Sequence, residues 1–158
     1  IALTNNDILR SIRYMLDLSD VRVADIARLA DPDLAIGKDE VRRFLGKEDA
    51  EDYLACRDRV FACFLDGLVV DRRGRNESQP QRPVELRVTN NLVLKKLRVA
   101  FELKDVDMHA IFSEAGFPVS KPEQSALFRQ PGHKHYRPCG DQILRNFLKG
   151  LTLRLRPA

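Results

Sequence analysis

The chain repeats itself, and no other feature limits its fold as much. Thr4-Asn5-Asn6 returns as Thr89-Asn90-Asn91. At that offset of 85, Leu9 meets Leu94, Arg13 meets Arg98, Leu18 meets Leu103, Asp20-Val21 meets Asp105-Val106 and Ile26 meets Ile111. Two residues drop out in the thirties, and an offset of 83 then pairs Glu40 with Glu123. Tyr53, Cys56 and Asp58 meet Tyr136, Cys139 and Asp141; Phe64-Leu65 and Gly67-Leu68 meet Phe147-Leu148 and Gly150-Leu151. The chain is therefore two copies of one unit of about 70 residues.

Each copy reads as four short helices. The first opens after Thr-Asn-Asn, residues suited to an N-cap, and carries Ile8, Leu9, Ile12 and Leu16 at helical spacing. Its twin carries Val93, Leu94, Leu97 and Phe101. The second helix starts near Asp20 or Asp105 and faces Val23, Ile26 and Ala27, or Met108, Ile111 and Phe112, inward. Ser120-Lys121-Pro122-Glu123 has the form of a capping box with proline in the first turn, and Gly37 and Glu40 hold the same places in the first copy. The fourth helix is the most apolar: Val60, Phe61, Phe64, Leu65 and Leu68 form one stripe, and Ile143, Leu144, Phe147, Leu148 and Leu151 form its twin.

These elements predict an all-α protein of two tandem four-helix units, residues 1–71 and 89–158, joined by a polar linker at 72–88 that contains Pro80, Pro83 and Gly74. Units this small bury little core alone, so they are expected to share one about a pseudo-two-fold axis. Gly67 and Gly150 sit inside a helix, where glycine costs about 1 kcal/mol relative to alanine. Their recurrence implies close approach by another backbone, with the two fourth helices as the expected pair.

Hydrophobic residues at 44% suffice for a core and charged residues at 32% for a hydrated surface, which excludes a disordered chain. The longest apolar run, Val60 to Val70, is broken by Asp66 and falls short of the roughly 18 residues of a spanning helix. No signal peptide is evident. Three cysteines, an odd number, make no disulfide framework, so the expectation is a cytoplasmic protein without a membrane partner.

One stretch invites a reading as chemistry: His133-Lys134-His135-Tyr136-Arg137-Pro138-Cys139-Gly140-Asp141. His133, His135 and Cys139 could supply three ligands of a tetrahedral metal site, or Cys139 a nucleophile with His135 as base. The first copy argues against both, because His133 and His135 align with Ala50 and Asp52 while the Tyr, Cys and Asp recur. The favoured reading makes Cys56 and Cys139 buried apolar residues before the fourth helix, with Asp58 and Asp141 bonding backbone N–H groups at its start. Glu48-Asp49 and Glu51-Asp52 read as the surface of a polar turn. No phosphate loop, nucleophile elbow or zincin pattern is present, and no catalytic residue or cofactor is expected.

The net charge of +4 is unevenly spread. From Gln142 to Ala158 there are Arg145, Lys149, Arg154 and Arg156 and no acid, and five arginines lie between Arg72 and Val88. The second and third helices of each copy loosely resemble a helix-turn-helix, with Lys38, Arg42, Arg43 and Lys47 on or near the recognition helix of the first. The residues expected to contact phosphate are Arg42, Arg43, Lys47, Lys95, Lys96, Arg98, Arg145 and Lys149.

Asn5-Asn6, Arg13, Phe64-Leu65, Gly67-Leu68, Arg73-Gly74, Asn90-Asn91, Leu94-Lys95-Lys96-Leu97-Arg98, Cys139-Gly140-Asp141-Gln142 and Phe147-Leu148 together resemble the YehS family of small bacterial proteins. The resemblance spans nearly the whole chain. It implies a bacterial cytosolic helical protein and, the family being a domain of unknown function, carries no activity or catalytic residue with it. The function expected is a non-enzymatic binding module with DNA or RNA as the favoured partner. A protein-assembly module using an apolar groove between the copies is the alternative, and an enzyme at His133, His135 and Cys139 is third.

Overall fold

The computed structural model describes residues 2–156. Among them are eight helices and no strand: α1 Asn5–Leu16, α2 Asp20–Ala30, α3 Lys38–Leu45, α4 Asp58–Arg73, α5 Asn90–Ala100, α6 Asp105–Glu114, α7 Lys121–Leu127 and α8 Asp141–Leu155. The protein is all-α, two tandem sets of four. The chain divides into two compact units, one of Thr4–Val88 and one of Thr89–Ala158 together with Ile1–Leu3.

Capping differs where the copies differ. Thr4 Oγ1 accepts from Asp7 N–H at 3.1 Å and the Asp7 carboxylate accepts from Thr4 N–H at 3.0 Å, a complete capping box. In α5 the third position is Leu92, and only the Thr89 half survives. Gly37 has no side chain to cap with, so its own N–H donates to Glu40 at 2.7 Å. Ser120 accepts from Glu123 N–H at 3.3 Å.

The turn after α1 and α5 is held in the same way in both copies. Asp17 and Glu102 adopt left-handed backbone at φ 52° and 54°, which an L side chain resists by roughly 1 kcal/mol. Leu18 N–H reaches back to the Arg13 carbonyl, and Leu103 N–H to that of Arg98. The same two arginines then grip the turn from outside: Arg13 Nε donates to the Leu18 carbonyl and Arg98 Nε to that of Leu103, with Asp20 and Asp105 as their ion-pair partners.

The paired asparagines are tethers rather than caps. Asn6, 2% exposed, donates to the Phe44 and Leu54 carbonyls and accepts from Cys56 N–H, all at 2.9 Å. Asn91 does the same to Leu127, Arg137 and Cys139 at 3.0, 2.9 and 2.8 Å. Each asparagine thus joins its opening helix to the end of the third helix and to the loop that feeds the fourth. Its neighbour, Asn5 or Asn90, bonds the Cys56 or Cys139 carbonyl and the aspartate that starts α4 or α8.

Those aspartates bond backbone N–H groups, as expected, but not those of their own helices. Asp58 accepts from Val88 N–H at 3.0 Å and Asp141 from Leu3 N–H at 2.9 Å. Val88 precedes α5 and Leu3 precedes α1, so each unit is closed by the leader of the other repeat's first helix. The Leu3 N–H, followed by the Asn90 amide, holds the Asp141 carboxyl below its ordinary value.

The backbone that approaches Gly67 and Gly150 is not that of the other fourth helix. A backbone does come close, but within the unit: a Cβ on Gly67 would lie 2.7 Å from the Ile26 carbonyl carbon and closer still to its oxygen. On Gly150 it would lie 3.0 Å from the Ile111 carbonyl carbon, again with the oxygen nearer. The neighbours are α2 and α6, not the other fourth helix. α2 against α4 is the most extensive helix pair in its unit, and a side chain where Gly67 meets Ile26 would push the two apart.

Candidate nucleic-acid interface and the histidine–cysteine loop

In the loop between α7 and α8 the two histidines are exposed and the cysteine is buried. His133 and His135 are exposed, their rings 5.5 Å apart, and His135 N–H donates to His133 Nδ1 at 3.0 Å. Cys139 is 6% exposed, with its Sγ 3.5 Å from the Gly140 carbonyl. The Asp141 carboxylate is occupied by Leu3 and Asn90. Among the described residues no three His, Cys, Asp or Glu side chains are placed to hold a metal ion.

Burial pushes the Cys139 thiol up to about 12, and burial with Asp58 beside it pushes Cys56 up to about 12 as well. At pH 8 a thiol with that pKa is thiolate in about one part in ten thousand. Cys63, fully buried on α4, is raised too, chiefly by burial. We therefore expect all three cysteines to resist an aromatic disulfide reagent at pH 8 in the folded protein and to react together once guanidinium unfolds it. Rapid labelling of Cys139 in the native state would restore it as a nucleophile.

The eight predicted phosphate-contacting residues fall on two units. Arg42, Arg43 and Lys47 belong to Thr4–Val88; Lys95, Lys96, Arg98, Arg145 and Lys149 belong to the other. Arg42 is shared between Asp39 at 3.0 Å and Asp52 at 2.9 Å, and Arg43 Nε donates to the Asp52 carbonyl. Arg98 is the turn clamp described above, and its guanidinium also lies 4.7 Å from the centre of the Phe128 ring. Lys95 and Lys149 are exposed and make no ion pair among the described residues. Arg145 and Lys149 stand one turn apart on α8, where their α4 counterparts are buried Ala62 and acidic Asp66.

The charge follows the same division. The Thr89–Ala158 portion carries twelve Lys and Arg against six Asp and Glu, net +6. Thr4–Val88 carries fifteen against seventeen, net −2, and the two account for the whole chain's +4. The connections between second and third helices run seven residues in the first copy and six in the second. A tight helix-turn-helix uses about three or four.

Sequence reasoning passed over a cleft of about 540 Å³ in the first unit, between the start of α1 and the chain joining α3 to α4. Asp7, Arg10, Lys47, Glu48, Asp49 and Tyr53 line it. The signal was available in the repeat: the counterparts of Lys47, Glu48 and Asp49 are Gln130, Pro131 and Gly132, so the charges belong to one copy only.

Two four-helix units in tandem, each clamped by the same asparagine, arginine and glycine contacts, define an all-α tandem-repeat protein. The chain belongs to the family described as Protein of unknown function (DUF1456), whose model matches residues 5–74 and again 90–156. It is 45% identical over 150 residues to the uncharacterized protein YehS of Escherichia coli (strain K12), covering 95% of each chain. No solved structure matches it. No helix among the described residues is long and apolar enough to cross a membrane.

Proposed function

We propose that the protein is a non-enzymatic, cytoplasmic nucleic-acid-binding protein, and that contact is made by the second unit through Lys95 and Lys149. The observation that carries the reading is the net charge of +6 on that unit against −2 on the other. A phosphate contact releases condensed counterions only if the cation is not already spent on a carboxylate. Lys95 and Lys149 meet that condition, whereas Arg42 and Arg98 would have to give up ion pairs. The role of the two is phosphate contact, without base selection.

Binding to duplex DNA and to structured RNA, measured from 50 to 200 mM salt, tests the reading. We expect micromolar to sub-millimolar affinity, and a Lys95→Ala, Lys149→Ala variant that lowers the log–log salt slope by about 1.8 on duplex DNA. Undetectable binding at the lowest salt, or a slope the variant leaves unchanged, would remove nucleic acid as the partner. A protein partner would then be favoured by one observation. Tyr14 and Val21 are exposed at positions matching exposed Val99 and Val106, the last 73% open, so an apolar corner recurs in both units.

A further inference from the structure

The cleft in the first unit has walls already neutralised and a mouth that is not. Arg10 bonds the Asp7 carboxylate at 3.2 Å and the Gly46 carbonyl at 3.2 Å, and Asp7 also holds Thr4 N–H. These two side chains fix the start of α1 to the end of α3 and carry no net charge between them. The other side is a pair of turns, Ala50 N–H to the Lys47 carbonyl and Tyr53 N–H to that of Ala50, which set residues 47–53 around the opening.

On those turns Lys47, Glu48 and Asp49 are exposed, and none makes an ion pair among the described residues. Tyr53 is half-buried and lines the same cleft as Glu48, and burial, then the Glu48 carboxylate, raise its phenol. The unspent groups are therefore one ammonium, two carboxylates and an aromatic face. An anion alone meets two carboxylates, and a simple cation leaves Lys47 unused. A molecule with one carboxylate and two cationic groups matches all three.

We propose that this cleft binds a free basic α-amino acid. Its carboxylate is taken by Lys47, its α-ammonium and side-chain cation by Asp49 and Glu48, and the side-chain cation lies against the Tyr53 ring. Volume agrees, since small-molecule sites run from about 300 to 1,000 Å³. The unit's net charge of −2 favours a ligand of net positive charge. The second copy keeps the tyrosine as Tyr136 but has Leu92, Gln130, Pro131 and Gly132 at the charged positions, so each chain has one such site.

Titration of the full chain with L-arginine, agmatine and L-glutamate at matched ionic strength, read by calorimetry and by the Tyr53 ring proton resonances, tests this. L-Arginine is expected to bind saturably with Kd about 1 mM, the level three exposed charge pairs and one ring contact support. Lys47→Ala is expected to weaken L-arginine about fivefold and to leave agmatine, which lacks the carboxylate, unchanged. Glu48→Gln with Asp49→Asn is expected to weaken both more than about tenfold. All three positions are exposed, and circular dichroism checks that the variants fold. The proposal is overturned by no saturable response to L-arginine, by L-glutamate binding as tightly, or by Lys47→Ala affecting arginine and agmatine alike.

Discussion

Replacing Gly67 by alanine is expected to destabilise the protein by about 3 kcal/mol or more, even though alanine is the better helix former by about 1 kcal/mol. The new methyl group would overlap the Ile26 carbonyl, and backbone cannot step aside as a flexible side chain can. α2 and α4 would have to separate where Gly67 meets Ile26, opening a core made by Phe61, Phe64 and Leu65. Thermal unfolding followed by circular dichroism should show the midpoint falling by about 6–12 °C. Gly150→Ala should behave similarly through Ile111, while Gly46→Ala, whose Cβ would meet nothing nearer than 3.7 Å, should be nearly silent. Equal stability for Gly67→Ala and Gly46→Ala would contradict the close approach described above.

Asn6→Ala is expected to cost about 3–5 kcal/mol, since it strands two carbonyls and one N–H in a buried place at about 1–3 kcal/mol each before relaxation. The groups left behind are those of Phe44, Leu54 and Cys56, so the damage reaches the end of α3 and the entry to α4 together. Asn91→Ala removes three equivalent bonds, but Asn91 is only partly buried and water can replace some of them, so about 2 kcal/mol is expected there. Urea unfolding of the two variants gives the comparison. The order Asn6 above Asn91 is the discriminating result, and the reverse order would mean that burial does not set the cost.

The helices were legible because each apolar stripe appears twice, and a pattern that survives in two divergent copies is hard to mistake. The asparagines were legible only as residues that suit a helix start. Their hydrogen bonds run to residues 36 to 53 positions away, and nothing local to Asn5-Asn6 or Asn90-Asn91 indicates that. Gly67 and Gly150 announced a close backbone without naming it, because a missing Cβ records that space is short and not what fills it. Arg98 looked like a surface cation for the same reason: its partners, the Leu103 carbonyl and Asp105, are brought to it by a left-handed turn at Glu102 that the sequence does not advertise. Comparison of the copies did separate shared scaffold from single-copy features at Cys139. Applied to residues 47–49, it would have marked the cleft.

The exchanged leaders have a bearing on how the chain is made. Val88 bonds Asp58, so everything the Thr4–Val88 unit requires exists once residue 88 has been synthesised. Leu3 is made 138 residues before Asp141, its partner. At ribosomal rates of about 5–20 residues per second that gap is on the order of ten seconds. Synthesis order therefore lets one unit close before the chain is finished, whereas the second unit is completed by a segment older than itself.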